Sequence, residues 1–128
     1  MFEISVKSRF SAAHHLKGYD GSCASLHGHN WEVEVFLRGE TLSDVGILMD
    51  FRRLKEVLRE LLGELDHADL NTVEAFRTAN PSSENLARYL YRGLAGRLDS
   101  ANCRVHRVSV CETPESRATY WEEGLRGA

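Results

Sequence analysis

The chain has 128 residues, of which 42% are hydrophobic and 27% charged, and its formal net charge is −3. This length is typical of one domain with its own core, so we expect a single domain over residues 1–128. The weakly acidic balance gives no reason to expect nucleic acid as a partner. The amino terminus lacks a signal-peptide pattern, and no apolar run approaches the roughly 18 residues of a membrane span. We therefore expect a cytoplasmic protein with no membrane partner.

Two stretches near the amino terminus alternate between apolar and polar residues, which is the pattern of half-buried β-strands. The first runs from Phe2 to His14 and has its apolar residues at even positions. The second begins near His29, and its odd positions from His27 to Leu37 are histidine or apolar. If the two strands pair as antiparallel neighbours, His14, His27 and His29 meet at one end of the sheet.

Three imidazoles at one place form a neutral nitrogen ligand set that suits zinc. With only three protein ligands, a fourth coordination position stays open for water or substrate. Cys23, four residues before His27, leaves two alternatives open. Its thiolate either completes the shell of a closed, structural site, or stands away from the metal and moves protons.

Two helices are predicted after these strands. Residues 51–65 place apolar side chains on one broad stripe, and Asp50 can cap the helix that they form. A second amphipathic helix follows Asn80-Pro81, with Ser82 or Ser83 as its cap. Both helices are interpreted as scaffold that covers the sheet.

Residues 104–112 and 117–123 have the pattern of two further strands joined by a turn. The order of strand, strand, helix, helix, strand, strand predicts an α+β fold, in which a four-stranded antiparallel sheet carries two helices on one face. The edges of that sheet would be open, so strand pairing between subunits is expected. The apolar parity of the third strand ends in Glu112, and a carboxylate on the core side requires a hydrogen-bond donor.

Asp66 and His67 stand side by side where the first helix should end. They form either an orienting pair, in which the carboxylate fixes the tautomer of a proton-shuttling imidazole, or a simple helix-capping histidine beside a loop acid. The residues alone leave both interpretations open. Four other groups are interpreted as ordinary: His15 as a surface residue that points away from the cluster, His106 as a strand-start residue, and Cys103 and Cys111 as small packing residues.

Five dispersed motifs follow one another along the chain. They are Phe10-Ser11-Ala12-Ala13-His14, Cys23-x-x-x-His27-Gly28-His29-Asn30, Leu65-Asp66-His67-x-x-Leu70-Asn71, Asn80-Pro81-Ser82-Ser83-Glu84-Asn85 and Cys111-Glu112-Thr113. Together they resemble the 6-pyruvoyl-tetrahydropterin synthase family over essentially the whole chain. The three residues between Cys23 and His27 resemble the bacterial 6-carboxytetrahydropterin synthase branch, because a longer gap is usual in the pyruvoyl branch.

The resemblance implies a tunnelling fold, in which the sheets of three subunits join edge to edge as a barrel and two trimers stack as a homohexamer. It implies a Zn2+ cofactor held by His14, His27 and His29. It also implies catalytic and substrate-binding residues, with Cys23, Asp66 and His67 moving protons, Glu112 anchoring the pterin ring and Ser83 lying near that ring.

The implied reaction converts 7,8-dihydroneopterin triphosphate to 6-carboxy-5,6,7,8-tetrahydropterin, with release of acetaldehyde and triphosphate, as a step towards the deazapurine precursor of queuosine. Two alternatives stay open: 6-pyruvoyl-tetrahydropterin synthase activity on the same substrate, and a non-catalytic module with a structural Cys/His zinc site. Lys7, Arg9 and Lys17 are candidates for holding the triphosphate.

Overall fold

A computed structural model describes residues 1–19, 21 and 24–123. The elements follow one another as β1 Phe2–His14, β2 His27–Gly39, α1 Phe51–Gly63, α2 Ser83–Leu98, β3 Arg104–Thr113 and β4 Ser116–Tyr120. Two single-turn 3₁₀ helices, Leu70–Thr72 and Glu74–Phe76, lie between α1 and α2. The predicted α+β order is confirmed.

The four strands form one antiparallel sheet in the order β1-β2-β3-β4. The β1–β2 register runs from Phe2 opposite Gly39 to His14 opposite His27. Alternating side chains therefore place the even positions of β1 and the odd positions of β2 on the same face. This face is buried: Trp31 and Val33 are both 0% exposed.

The two helices cover the buried face of the sheet. Asp50 caps α1 by accepting a hydrogen bond from the Arg52 N–H, as its position predicts. Of the two serines considered for α2, Ser82 is the cap, since its side chain accepts a hydrogen bond from the Asn85 N–H. No helix among the described residues has the length and apolar character needed to cross a membrane.

The chain beyond α1 returns to the outer edge of β1. The His67 N–H donates to the Ser11 carbonyl, and the Ala13 N–H donates to the Ala68 carbonyl at 3.0 Å. Residues 66–69 thus cover part of an edge strand whose backbone groups would otherwise be unpaired. This contact brings the Asp66-His67 motif to the end of the sheet that carries His14.

At the other edge, β4 is shorter than predicted and ends at Tyr120 rather than at residue 123. The reason is a set of contacts with α2. Glu122 forms an ion pair with Arg92 at 3.3 Å and accepts a hydrogen bond from the Tyr120 hydroxyl at 2.7 Å. These contacts draw the chain away from the sheet and towards the helix.

Candidate metal centre and active site

The three predicted histidines lie together at one end of the sheet. His14 stands directly opposite His27 in the β1–β2 register, and His29 stands opposite Ala12. One potential ligand atom from each histidine and one from Glu112 all lie within 4.8 Å of one another. We call these four residues the histidine cluster. Its existence confirms the inference from strand parity that His14, His27 and His29 meet on one face.

A buried tryptophan forms the floor of the histidine cluster. The ring centroid of Trp31 lies 4.9 Å from that of His14 and 5.3 Å from that of His29, and both pairs of rings meet edge to face. The indole N–H of Trp31 donates to the Ala12 carbonyl at 3.2 Å. Because this hydrogen bond fixes the indole, the two imidazoles rest on a rigid surface.

Backbone carbonyls fix the tautomers of two of the imidazoles. The His14 Nδ1 lies 2.7 Å from the Pro81 carbonyl oxygen, and the His27 Nδ1 lies 2.7 Å from the Ser25 carbonyl oxygen. A carbonyl only accepts, so each Nδ1 must carry the proton. In the neutral rings the lone pairs are therefore on Nε2, which is the tautomer that a metal ligand needs.

The Nε2 atoms of His14 and His29 point at the Glu112 carboxylate. They lie 3.0 Å and 3.2 Å from Glu112 Oε1. Yet both nitrogens are buried and neither makes a well-directed hydrogen bond to any described residue. On a neutral His14 ring, the nitrogen lone pair faces carboxylate oxygen without a proton between them, which is unfavourable. A cation between these atoms would resolve the conflict, so the residues fit a metal ion.

The electrostatics of His29 agree with this interpretation. Burial lowers the pKa of His29 because it disfavours the charged imidazolium, and the nearby Glu112 carboxylate only partly opposes that shift. The side chain of His29 is 21% exposed, although its Nε2 atom is buried. A neutral imidazole is the form of histidine that can ligate a metal ion.

Glu112 is the member of the histidine cluster that the ligand prediction omitted. It continues the series of Val108 and Val110 on the core face of β3. The residue before it, Cys111, pairs with Glu32 of β2. The same strand parity that predicted a buried carboxylate could have identified it as a possible ligand. The register between β2 and β3 was needed to place it beside the histidines.

Asp66 and His67 are in side-chain contact, which is the geometry that the orienting-pair alternative requires. His67 Nδ1 lies 3.0 Å from Asp66 Oδ2, while Asp66 Oδ1 accepts a hydrogen bond from the Ser11 N–H at 2.9 Å. The Ser11 hydrogen bond, followed by the interaction with His67, lowers the pKa of Asp66. His67 has a left-handed φ of 60°, and its side chain is 81% exposed.

An open groove of about 520 Å³ is lined by both His29 and His67. His67 therefore lies in the same groove as one member of the histidine cluster, His29. Ser83, the first residue of α2, lies two residues beyond Pro81, whose carbonyl holds His14. The fold thus brings His67 to a groove that His29 also lines, and it starts α2 near His14.

The remaining candidates fall into three groups. Cys23 lies outside the described residues. Cys103 and Cys111 are buried, as expected of packing residues, and His15 is half-buried rather than on the surface. Lys7 and Arg9 have the strand parity opposite to His14, and their cross-strand neighbours are acidic residues, whereas Lys17 follows β1 at the end that carries the histidine cluster.

An α+β subunit with three histidines and a carboxylate at one end of its sheet defines a protein that could bind a metal ion. A model of the family described as 6-pyruvoyl tetrahydropterin synthase matches residues 3–123. This chain therefore belongs to that family, and the resemblance of its motifs is confirmed.

Individual relatives carry names from two branches of the family. The 6-carboxy-5,6,7,8-tetrahydropterin synthase of Synechocystis sp. is 34% identical over 131 residues, covering 98% of this chain and 97% of that protein. The enzyme of the same name from Bacillus subtilis is 33% identical over 135 residues, covering 98% and 90%. The solved structure of Caenorhabditis elegans 6-pyruvoyl tetrahydropterin synthase matches with a TM-score of 0.86 at 30% identity, covering 95% of this chain and 96% of that one.

Proposed function

We propose that the protein is a zinc-dependent carbon-carbon lyase that converts 7,8-dihydroneopterin triphosphate to 6-carboxy-5,6,7,8-tetrahydropterin, releasing acetaldehyde and triphosphate, in queuosine biosynthesis. The observation that carries the proposal is the convergence of the buried, unpartnered Nε2 atoms of His14 and His29 on the Glu112 carboxylate, in a group of four residues that could hold a metal ion. The spacing of Cys23 and His27 favours the carboxy product, and so do the names of the two bacterial relatives.

His14, His27 and His29 would hold the metal through Nε2. When bound there, zinc would supply a Lewis acid that stabilises negative charge developing on substrate oxygen. The backbone carbonyls of Pro81 and Ser25 keep two of the rings in the required tautomer. This support leaves His14 and His27 little rotational freedom, so these two ligands are organised before the metal arrives.

The chain's own acid and base groups would move the protons. His67 exchanges a proton with substrate from the groove, while Asp66 orients its ring and stabilises the imidazolium. Cys23 is the proposed second proton carrier. Its assignment is supported by its place four residues before His27, as in the carboxy branch.

Glu112 would anchor the pterin ring, with Ser83 beside it. A carboxylate that accepts two parallel hydrogen bonds from the amino group and a ring N–H binds a pterin strongly and in one orientation. Its position beside His14 and His29 also allows it to ligate the metal. Glu112→Gln distinguishes the two roles: as an anchor, the variant keeps zinc and shows a raised KM, whereas as a ligand it loses zinc affinity.

The decisive experiment incubates the zinc-loaded protein with dihydroneopterin triphosphate and measures the mass of the pterin product. We expect 6-carboxytetrahydropterin together with acetaldehyde. A 6-pyruvoyl product would place the protein in the other branch. An unchanged substrate, with zinc bound at one ion per subunit, would contradict both enzymatic functions.

Cys23→Ala separates the lyase from a non-catalytic module in which Cys23 completes a four-ligand zinc shell. The lyase proposal predicts that the variant binds zinc like the wild type and loses turnover. Cys111→Ala is the matched control, because it removes a thiol that is buried in the sheet. Loss of zinc and of the fold in Cys23→Ala alone would favour the structural module.

The proposed assembly is a homohexamer built as a dimer of trimers. It is supported by the edges of the sheet. The hydrogen bonds that cover the outer edge of β1 begin at Ser11, so residues 2–9 can accept a strand from another subunit. Light scattering coupled to size exclusion should give six times the subunit mass, and a monomer would contradict the assembly.

A further inference from the structure

Two asparagine side chains extend the covered edge of β1 beyond its last residue. Asn71 accepts a hydrogen bond from the His15 N–H at 2.9 Å and donates one to the His15 carbonyl at 3.0 Å. Asn80 makes the same pair of bonds with Lys17, at 2.9 Å and 3.0 Å. We call these two contacts the asparagine clamps.

The asparagine clamps reproduce the hydrogen bonds of a neighbouring strand. A carboxamide has one acceptor and one donor side by side, so it can satisfy both polar groups of one residue as another peptide would. His15 and Lys17 are two residues apart, and they continue the series of Ser11 and Ala13, whose outward groups are bonded to residues 66–68. The edge is therefore covered from Ser11 to Lys17.

The second clamp is fastened to the first turn of α2. The Asn85 side-chain nitrogen donates to the Asn80 carbonyl at 2.8 Å, and the Asn85 N–H donates to Ser82 Oγ at 3.1 Å. Pro81, between these residues, accepts the Nδ1 proton of His14 at 2.7 Å. One short turn thus holds both the ring of His14 and the backbone three residues beyond it.

We propose that Asn71 and Asn80 are positioning residues for the histidine cluster. They act by fixing the chain that follows His14, and through it the direction of the His14 Nε2 lone pair. This inference rests on the proposed function only for the identity of the metal and the substrate. Neither asparagine contacts the ligand atoms, so neither is a catalytic residue.

Asparagine-to-aspartate substitutions test the clamps at constant side-chain size. In Asn71→Asp and Asn80→Asp the carboxylate can still accept from the peptide N–H, but it places oxygen against the peptide carbonyl, so one of the two bonds becomes repulsive. Asn102→Asp is the matched control: it introduces the same charge near Gly39, at the opposite end of the sheet.

We expect the two clamp variants to bind zinc roughly 10-fold to 100-fold more weakly in a chelator competition, the size of effect seen when residues behind metal ligands are changed. At saturating zinc, kcat should fall by at least about 10-fold while KM changes less than about threefold. Asn102→Asp should match the wild type in all three quantities. Clamp variants that bind zinc and turn over substrate like Asn102→Asp would overturn the proposal. A loss of zinc affinity and kcat that equals the fraction of unfolded protein at the assay temperature would also overturn it.

Amide hydrogen exchange on the zinc-loaded wild type provides a test that needs no variant to fold. The N–H groups of His15 and Lys17 should exchange as slowly as those of Ser11 and Ala13, although they lie beyond the end of β1. Exchange at the rate of an exposed loop would overturn the proposal. If the protein does not turn over the pterin substrate, the proposed function fails, while zinc affinity and amide exchange still decide whether the clamps position the cluster.

Discussion

The two ends of the sheet carry similar residues but differ in how their polar atoms are satisfied. At the Gly39 end, where Phe2 pairs with Gly39, Glu3 accepts a hydrogen bond from Arg38 at 2.8 Å, and His106 is half-buried nearby. A cavity of about 490 Å³, lined by Arg38 and His106, also lies there. At the other end, His14 and His29 have buried nitrogens that no described residue satisfies.

This difference shows which feature identifies the site. A cavity, a histidine and charged side chains occur at both ends, so none of these features is sufficient. The distinguishing property is a set of Nε2 atoms that lie close together. In His14 and His27 a backbone carbonyl holds the proton on Nδ1, so the lone pair is on Nε2. At the Gly39 end, by contrast, the Glu3 carboxylate already has its partner within the chain.

The largest expected effect comes from removing one imidazole at each end. His29→Ala should weaken zinc binding by at least about 100-fold, because a ligand is lost rather than a residue behind one. His106→Ala should leave zinc binding unchanged. Zinc content after dialysis and chelator competition measure both variants. Equal affinities in the two variants would contradict the assignment of the metal to the histidine cluster.

The second effect concerns proton transfer at the histidine-cluster end. His67→Ala should lower kcat by about 10²-fold to 10⁴-fold, the usual contribution of a general acid or base. Zinc content should not change, since the His67 ring lies outside the ligand set. Steady-state kinetics on zinc-loaded protein measure this, with His106→Ala as the control. Full activity in His67→Ala would leave the Asp66-His67 pair as a helix-end contact without a catalytic role.

A third prediction applies to packing at the Gly39 end. A Cβ on Gly39 would lie 2.1 Å from the Asn102 carbonyl oxygen and 2.5 Å from Leu48 Cδ1, so Gly39→Ala requires the backbone to move. We expect a loss of about 1–3 kcal/mol in the free energy of unfolding. Urea unfolding measures this loss, and zinc affinity at the far end should be retained. A coupled loss of zinc affinity would show that the two ends are not independent.

The smallest effect is the pH dependence of stability that Asp66 confers. Its pKa is lowered in the folded state, chiefly by the hydrogen bond from the Ser11 N–H, so the ionised carboxylate stabilises the fold above the unfolded pKa. This contribution disappears as the pH falls through the lowered folded pKa. Zinc-free wild type should therefore exceed Asp66→Asn in stability at pH 7 and match it under strongly acidic conditions, as urea unfolding would measure. A difference that persists in acid would contradict this origin.

Several features of the site could be predicted from the sequence because they depend on local periodicity. Strand parity placed His14, His27 and His29 on one face, since side chains alternate along each strand whatever the rest of the fold does. The cap of α1 at Asp50 was equally local, because it depends on residues two positions apart. The parity of β3 likewise placed Glu112 on the core side.

Other features were decided only by the tertiary structure, because they join residues far apart in the chain. The register of β2 with β3, in which Glu32 pairs with Cys111, brings Glu112 to the histidines. Pro81 supplies the hydrogen-bond acceptor for His14, and the asparagine clamps connect residues separated by 56 and 63 positions. A periodic pattern in the sequence does not predict where the chain between two helices contacts the sheet. The sequence by itself therefore determined which histidines share a face, whereas the docking of residues 66–81 on β1 decided how His14 is oriented.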